Sequence, residues 1–235
     1  MEGNMISNMP DGGLILAVDG PSGTGKSTTC RALAKRLDAK YVDTGAMYRV
    51  ATLAVLRAGI DPADTDAVIK ATTDLPLEVS DDPDSKQVIF DGEDVSRVIR
   101  EDEVTRNVSA VSAVPEVRQN LVELQRKLAR DAHRAIVEGR DIGTVVLADA
   151  PAKAFMTAAA EVRAQRRHDQ NLAAGLESDF ATVLADVERR DAADSSRATS
   201  PLRPAEDATL VDTSFMSLEE VLDALTEIVK ESAHV

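Results

Sequence analysis

The sequence is poor in aromatic residues and in cysteine. Of its 235 residues only 3% are aromatic, none is tryptophan, and Cys30 is the single cysteine. The core must therefore be built of alanine, valine, leucine and isoleucine, with Cys30 inside it, and a disulfide framework is excluded. No apolar run has the length of a membrane span or of a signal peptide. We therefore expect a cytoplasmic protein with no membrane partner.

The sequence is also short of positive charge. It holds 27 lysine and arginine residues against 41 aspartate and glutamate residues, which gives a formal net charge of −14. A chain this acidic is a poor general binder of nucleic acid, so we expect no nucleic-acid partner. Any anion that it binds must be held by a local cluster of arginine and lysine, which makes the positions of the arginines informative.

The hydrophobic pattern predicts alternating strands and helices of an α/β fold. The loop lengths between them suit a parallel sheet. The last of the internal helices has Ser178 as its predicted N-cap. The predicted strands are 14–20, 40–45, one from 134, 152–158 and 208–214, and the predicted helices are 25–39, 46–59, 115–133, 160–173, 179–193 and one from 218.

One segment departs from this alternation. Residues 61–113 contain two short β-like runs and an Asp91-Gly92 turn signal, which predict a small antiparallel insert. We expect the core to consist of 14–60 and 114–235, and the polar residues 1–13 to form a disordered tail.

Residues 18–29 contain a phosphate-binding loop. Their sequence, VDGPSGTGKSTT, fits the pattern G-x-x-x-x-G-K-[ST] at Gly20, Gly25, Lys26 and Ser27, between a predicted strand and a predicted helix. Glycine lets successive backbone N–H groups turn toward an oxyanion, and the helix that follows points its positive end to the same place. Lys26 is placed for the outer phosphates of a nucleotide, and the Ser27 hydroxyl is placed for Mg²⁺.

A phosphate-binding loop does not by itself define a reaction. The sequence has neither the N-K-x-D signature by which GTPases read guanine nor the hydrophobic strand ending in Asp-Glu that is typical of ATP-hydrolysing motors. Two classes stay open. One is a kinase that acts on a small acceptor, and the other is a nucleotide-binding switch whose output is a conformational state.

Four groups of arginines are candidates for holding a second phosphate, because arginine is always charged and binds phosphate in a bidentate manner. In DTGAMYR, Thr44 ends a predicted strand and Arg49 lies one turn into the next helix. In VEGRDIG, Arg140 and Asp141 follow the carboxyl end of a strand, where α/β sheets bind ligands. The other two groups have helical spacing. Their members are Arg163, Arg166 and Arg167 in one, and Arg190, Asp194 and Arg197 in the other.

From about Leu14 to Leu225 the sequence resembles the bacterial cytidylate kinases, a family of nucleoside monophosphate kinases. The resemblance rests on DGPSGTGKS, DTGAMYRV, DGEDVSRVIR, GRDIGTVV, RRDAADSSR followed by PL, and DATLVDTS. The first motif is widely shared, whereas DTGAMYR together with GRDIGT and the late arginine stretch is specific. Relatives often have serine where Thr44 stands and GKGT in place of GKST, and some carry a further arginine within DSSR.

The resemblance implies a five-stranded parallel core with helices on both faces, a nucleoside-monophosphate-binding insert at 61–113 and a short helical lid at about 160–200. It implies a monomer that transfers the γ-phosphoryl group of ATP to CMP or dCMP with Mg²⁺. Kinases for UMP, AMP or shikimate are the alternatives within the enzyme class. The arginine-rich acceptor face argues against a switch.

The resemblance also implies roles for individual residues. The expected catalytic residues are Lys26, Arg140, Arg190 and Arg197, with Ser27 on the metal. The expected ATP-binding residues are Gly20, Pro21, Ser22, Gly23, Thr24, Gly25, Lys26, Ser27, Thr28, Arg163 and Arg167. The expected CMP-binding residues are Thr44, Arg49, Ser109, Arg118, Arg140, Asp141, Arg190, Asp194 and Arg197. Within this set Arg49 and Arg140 are expected on the acceptor phosphate, Ser109, Arg118 and Asp141 on the cytosine, and Asp194 on the sugar.

Overall fold

The computed structural model describes residues 13–232. The predicted tail lies outside these residues except for its last position. At the centre is a sheet of five parallel strands in the order β2-β6-β1-β7-β8. Its strands are β1 (Leu14–Asp19), β2 (Lys40–Asp43), β6 (Arg134–Glu138), β7 (Ala152–Thr157) and β8 (Thr209–Asp212). The predicted five-stranded parallel core is thereby confirmed.

Helices cover both faces of this sheet. On one face α1 and α8 pack against strand residues such as Leu16 and Ile136, and Cys30 is buried there as predicted. On the other face α2 and α5 pack against Ala17 and Val137. No helix within 13–232 is long and apolar enough to cross a membrane. The helices are α1 (Lys26–Arg36), α2 (Thr44–Arg57), α3 (Thr65–Thr72), α4 (Asp102–Val111), α5 (Pro115–Asp131), α6 (Ala160–Ala173), α7 (Phe180–Ser195) and α8 (Leu218–Ser232).

The segment 61–113 carries the predicted small antiparallel sheet, but it contains more helix than its β-like runs indicated. Its strands are β3 (Leu77–Val79), β4 (Val88–Phe90) and β5 (Glu93–Asp94), and they pair in that order. The helices α3 and α4 flank the sheet on either side along the chain. A cluster that includes Val50, Val88 and Ile99 packs this segment onto α2.

Two predicted boundaries are wrong for reasons of helix capping. The second strand ends at Asp43 and not at residue 45, because the Asp43 side chain accepts a hydrogen bond from the Ala46 N–H and starts α2 at Thr44. Helix α7 begins after Asp179, whose carboxylate accepts from the Thr182 N–H. The Ser178 hydroxyl, the predicted cap, instead contacts the His168 ring at 2.9 Å.

Candidate active site

The phosphate-binding loop joins β1 to α1 at the carboxyl edge of the sheet. Gly20 has a φ of 140°, and a Cβ atom there would lie 2.0 Å from the Met156 carbonyl oxygen. Gly25 has a φ of 90°, immediately before the first residue of α1. Both positions require glycine, because a side chain would either collide with the neighbouring strand or strain the backbone. The loop thus has the shape that turns its N–H groups toward a bound phosphate.

Lys26 lies at the first position of α1 and is 7% exposed. Its Nζ donates to the carbonyl oxygens of Gly20 and Pro21 at 2.6 and 2.7 Å. Burial, together with the nearby Arg140, lowers the pKa of Lys26 to about 7, although Glu138 opposes the shift. A phosphate anion close to this ammonium group would favour its charged form.

The next residue, Ser27, contacts a buried carboxylate that the sequence analysis did not single out. The Ser27 hydroxyl donates to Glu138 Oε1 at 2.7 Å, and the Tyr41 hydroxyl donates to the same oxygen at 2.9 Å. Burial raises the pKa of Glu138, and Asp43 adds to the shift. Among residues 13–232 none gives Glu138 Oε2 a hydrogen bond. Glu138 is the last residue of β6. An acidic residue at the carboxyl end of a predicted strand is the sequence signal that could have identified it as a site residue.

A second buried carboxylate, Asp19, fixes the loop that follows β6. Its two oxygens accept hydrogen bonds from the backbone N–H groups of Ile142 and Gly143 at 2.7 and 2.8 Å. These residues begin a π-helical turn (Ile142–Val146) directly after Arg140 and Asp141. Burial raises the pKa of Asp19 to about 6, although the two backbone donors work against the shift. Asp19 thus holds the arginine-bearing loop against the end of β1.

The loop after β6 meets the end of α7 through Asp194. Arg140 Nε donates to one Asp194 oxygen at 3.1 Å, and Arg197 donates to the other. The Ser109 hydroxyl, from α4, approaches the second oxygen at 3.3 Å. Burial alone would raise the pKa of Asp194, but Arg140 and Arg197 outweigh it and hold the pKa below its ordinary value.

Arg118 and Asp141 form a buried ion pair, with side chains 5% and 4% exposed. A second guanidinium nitrogen of Arg118 donates to the Ser112 carbonyl at 3.0 Å. The Tyr48 ring lies 5.0 Å from the Arg118 guanidinium carbon, in cation–π contact. Two residues predicted to face the cytosine are therefore in direct contact.

Further arginines face the same space. Burial is the main cause that lowers the pKa of Arg49 to about 10 and that of Arg190 to about 9. Arg140 contributes to both shifts, and the exposed Arg167 contributes to that of Arg49. Positive groups that repel one another at a partly buried site are stabilised by a bound polyanion. The arrangement therefore suits a phosphate group.

Some predicted site residues have polar groups engaged elsewhere. A guanidinium nitrogen of Arg49 donates to the Ile99 carbonyl at 2.9 Å and to the Thr105 hydroxyl at 2.8 Å. The buried Thr44 hydroxyl donates to the Glu138 carbonyl at 2.7 Å, at the start of α2. The buried Arg163 side chain donates to the Ser22 carbonyl at 3.2 Å and forms an ion pair with Asp191. Arg163 thus braces the phosphate-binding loop from outside.

The donor set at Ser27 fits a hard divalent cation. The Ser27 hydroxyl and the unpaired Glu138 oxygen are the oxygen ligands that Mg²⁺ prefers, and Mg²⁺ is commonly held by one or two protein oxygens together with nucleotide phosphates. No cluster of three or more His, Cys, Asp or Glu residues within 13–232 has the arrangement of a metal site.

Residues 16–231 match the family model of the cytidylate kinases. The chain belongs to the cytidylate kinase family. It is 68% identical over 225 residues to a cytidylate kinase of Corynebacterium glutamicum, and the alignment covers 96% of this chain and 98% of that one. It is 60% identical over 227 residues to a cytidylate kinase of Rhodococcus opacus, with 97% and 99% covered. The predicted membership of the cytidylate kinase family is confirmed.

The fold of this cytidylate kinase family member also resembles a solved gluconokinase from Sinorhizobium meliloti. The TM-score is 0.51 at 15% sequence identity, over 96% of this chain and 95% of that chain. At this identity the likeness shows the fold alone, and it agrees with the predicted P-loop kinase architecture.

Proposed function

We propose that this protein is a cytidylate kinase that transfers the γ-phosphoryl group of ATP to CMP or dCMP, giving ADP and CDP or dCDP. The observation that carries the proposal is a cluster of arginines around Arg140: Arg197 shares the Asp194 carboxylate with it, Arg49 and Arg190 lie near enough to repel it, and Arg140 itself repels Lys26 of the phosphate-binding loop. Phosphoryl transfer between nucleotides requires two polyanions held end to end, with positive charge around the moving group. The membership of the cytidylate kinase family names the acceptor.

The donor nucleotide binds to the loop between β1 and α1. The backbone N–H groups of Gly20 and of residues 22–28 and the Lys26 ammonium group hold its phosphates around Pro21, and Arg167 approaches from α6. Arg163 contributes by fixing the Ser22 carbonyl from outside the loop. Lys26 moves from the loop carbonyls to the phosphate oxygens, because an anion is a stronger partner for an ammonium group than a carbonyl dipole.

The acceptor binds on the other side of the moving group. Arg49 and Arg140 hold its phosphate, and Arg190 and Arg197 neutralise the charge that spreads over the transferred group. Thr44 supports this side through its hydrogen bond to the Glu138 carbonyl. The attacking oxygen belongs to a phosphate that is already anionic, so the reaction needs positioning and electrostatic stabilisation more than it needs a general base.

The cytosine and the sugar are read by the groups that surround this phosphate site. Asp141 accepts from the cytosine N4 amine, Arg118 donates to N3 or O2, and the Ser109 hydroxyl adds a polar contact. Uracil presents an acceptor at O4 and a donor at N3, so the same groups reject it. Asp194, held between Arg140 and Arg197, faces the ribose.

Mg²⁺ bound with ATP would supply charge neutralisation at the transferred phosphoryl group. The Ser27 hydroxyl and the unpaired Glu138 oxygen would hold the ion, and the other Glu138 oxygen fixes the Ser27 hydroxyl. The segment 61–113 acts as the nucleoside-monophosphate-binding insert, and α6 and α7 form the lid at about 160–200. A monomeric state, a cytoplasmic location and the absence of membrane and nucleic-acid partners stay predictions.

A coupled assay of ADP release with CMP, dCMP, UMP and AMP as acceptors tests the proposal. We expect CMP and dCMP to give kcat/KM values on the order of a hundredfold or more above those for UMP and AMP, because mismatched buried polar groups are costly. A reaction without acceptor is the control. Comparable turnover in that control would favour a nucleotide-binding switch. A higher kcat/KM for UMP or AMP than for CMP would contradict CMP as the acceptor.

A further inference from the structure

Two buried polar side chains lie behind the Arg118–Asp141 pair. Tyr48, from α2, is 8% exposed, and Gln125, from α5, is 0% exposed. Gln125 follows Arg118 by seven residues, so the two side chains lie on the same face of α5. Amide and hydroxyl groups are rarely buried this deeply, because burying them costs free energy unless they are hydrogen-bonded.

Tyr48 connects Gln125 to the Arg118–Asp141 pair. The face of the Tyr48 ring lies against the Arg118 guanidinium group at 5.0 Å. Burial raises the pKa of the Tyr48 hydroxyl, and Arg118, Asp141 and Gln125 are the next groups that act on it. Gln125 lies two turns beyond Arg118 on the same face of α5, so its amide is on the side of the helix that the Tyr48 ring contacts. Within 13–232, however, neither the Tyr48 hydroxyl nor the Gln125 amide has a partner at hydrogen-bond geometry.

We propose that Tyr48 and Gln125 are positioning residues for cytosine recognition. Gln125 restrains the Tyr48 hydroxyl, the Tyr48 ring restrains the plane of the Arg118 guanidinium group, and Arg118 in turn orients Asp141. The inference rests on the proposed function, since it assigns these two residues to the base-reading pair. A core that served folding alone would fill the same volume with leucine and phenylalanine.

Four variants test the inference: Tyr48→Leu, Tyr48→Phe, Gln125→Leu and the Tyr48→Phe/Gln125→Leu double variant. The measured quantity is the ratio of kcat/KM for CMP to kcat/KM for UMP. Tyr48→Leu removes the ring, and we expect the ratio to fall about tenfold through a higher KM for CMP, with KM for ATP unchanged. Tyr48→Phe keeps the ring, and we expect a smaller fall than in Tyr48→Leu, equal to the fall in Gln125→Leu.

The double variant tests whether Gln125 acts through the Tyr48 hydroxyl. If Gln125 acts through the Tyr48 hydroxyl, Gln125→Leu lowers the ratio in the wild-type background and changes nothing further in the Tyr48→Phe background. Additive effects of the two substitutions would overturn this link. Val55→Ala is the matched control, because it truncates a buried residue of α2 and should lower the thermal stability without changing the ratio.

The outcomes separate this inference from the proposed function. A wild-type enzyme that prefers CMP, with an unchanged ratio in Tyr48→Leu, overturns the inference and leaves the function standing. A wild-type enzyme without a preference for CMP overturns both. If Tyr48→Leu does not fold, Gln125→Leu decides: a lower ratio supports the inference, and an unchanged ratio overturns it.

Discussion

The Ser27 hydroxyl and the Glu138 carboxylate, 111 residues apart in the chain, are joined by a hydrogen bond of 2.7 Å. The bond joins the start of α1 to the end of β6, at the carboxyl ends of the strands, where the phosphate-binding loop lies. Tyr41 donates to the same carboxylate oxygen, so Glu138 is held on two sides. The oxygen that carries the metal in our proposal is therefore oriented by a residue from a different strand.

Glu138→Gln should weaken the use of Mg²⁺. The amide keeps the shape but removes a negative charge and one acceptor beside Ser27, and loss of such a supporting group typically costs about 10–100-fold in metal affinity or activity. We expect the Mg²⁺ concentration for half-maximal activity to rise about tenfold, while ATP binding measured by calorimetry in EDTA changes little. The exposed Glu123→Gln is the control. An unchanged Mg²⁺ dependence would contradict the role of Glu138.

Lys26→Ala should abolish most of the turnover. A preorganised cation beside the moving phosphoryl group is worth roughly 10²–10³-fold in kcat. We expect a loss of at least this size in the coupled assay. Lys35→Ala, on the exposed side of the same helix, is the control. Because Lys26 is buried and donates to two carbonyls, the melting temperature should be measured for both variants. Near-normal turnover in a folded Lys26→Ala enzyme would remove the loop from the mechanism.

Asp141→Asn should collapse the preference for CMP over UMP. Asparagine fills the same space, whereas alanine would leave the buried Arg118 without its partner at a cost of about 3–5 kcal/mol of stability. Asn presents a donor that suits O4 of uracil, so we expect kcat/KM for CMP to fall far more than that for UMP. If Asp141 only orients Arg118, both values should fall together and the ratio should hold.

Asp19→Asn should change how stability depends on pH. Burial raises the pKa of Asp19 to about 6 from 3.8, so its contribution to stability is full below pH 3.8 and is lost as the pH rises through 6. Asparagine does not titrate. Relative to the wild type, the free energy of unfolding of the variant should therefore improve by about 2 kcal/mol between about pH 4.5 and about pH 7.5. Denaturant unfolding at several pH values measures this free energy, with the exposed Asp131→Asn as the control. If the difference in unfolding free energy between Asp19→Asn and the wild type does not change with pH, the raised pKa of Asp19 is excluded.

Local signals account for what could be predicted from the sequence. The phosphate-binding loop depends on glycines at fixed spacing, and Arg140 and Asp141 directly follow a strand, so both features are visible over a few residues. Glu138 could not be identified in the same way, because its partners Ser27 and Tyr41 are brought to it by the order of the strands. The start of α2 was predicted two residues late and the cap of α7 one residue early, since several neighbouring side chains are able to cap a helix.

The arginine cluster is a positive region on a chain whose formal net charge is −14. At long range the protein therefore repels the nucleotides that it binds, and at short range it attracts them. The screening length is about 10 Å at 0.1 M salt, so added salt weakens the long-range repulsion before it weakens contacts inside a partly buried site. We expect the association rate constant of CMP, measured by stopped flow, to rise with moderate salt. An association rate constant that falls steadily with salt would mean that the attraction of the arginine cluster reaches beyond the protein surface. Substrate capture by this enzyme would then be favoured by physiological ionic strength, and its selectivity would come from the final approach.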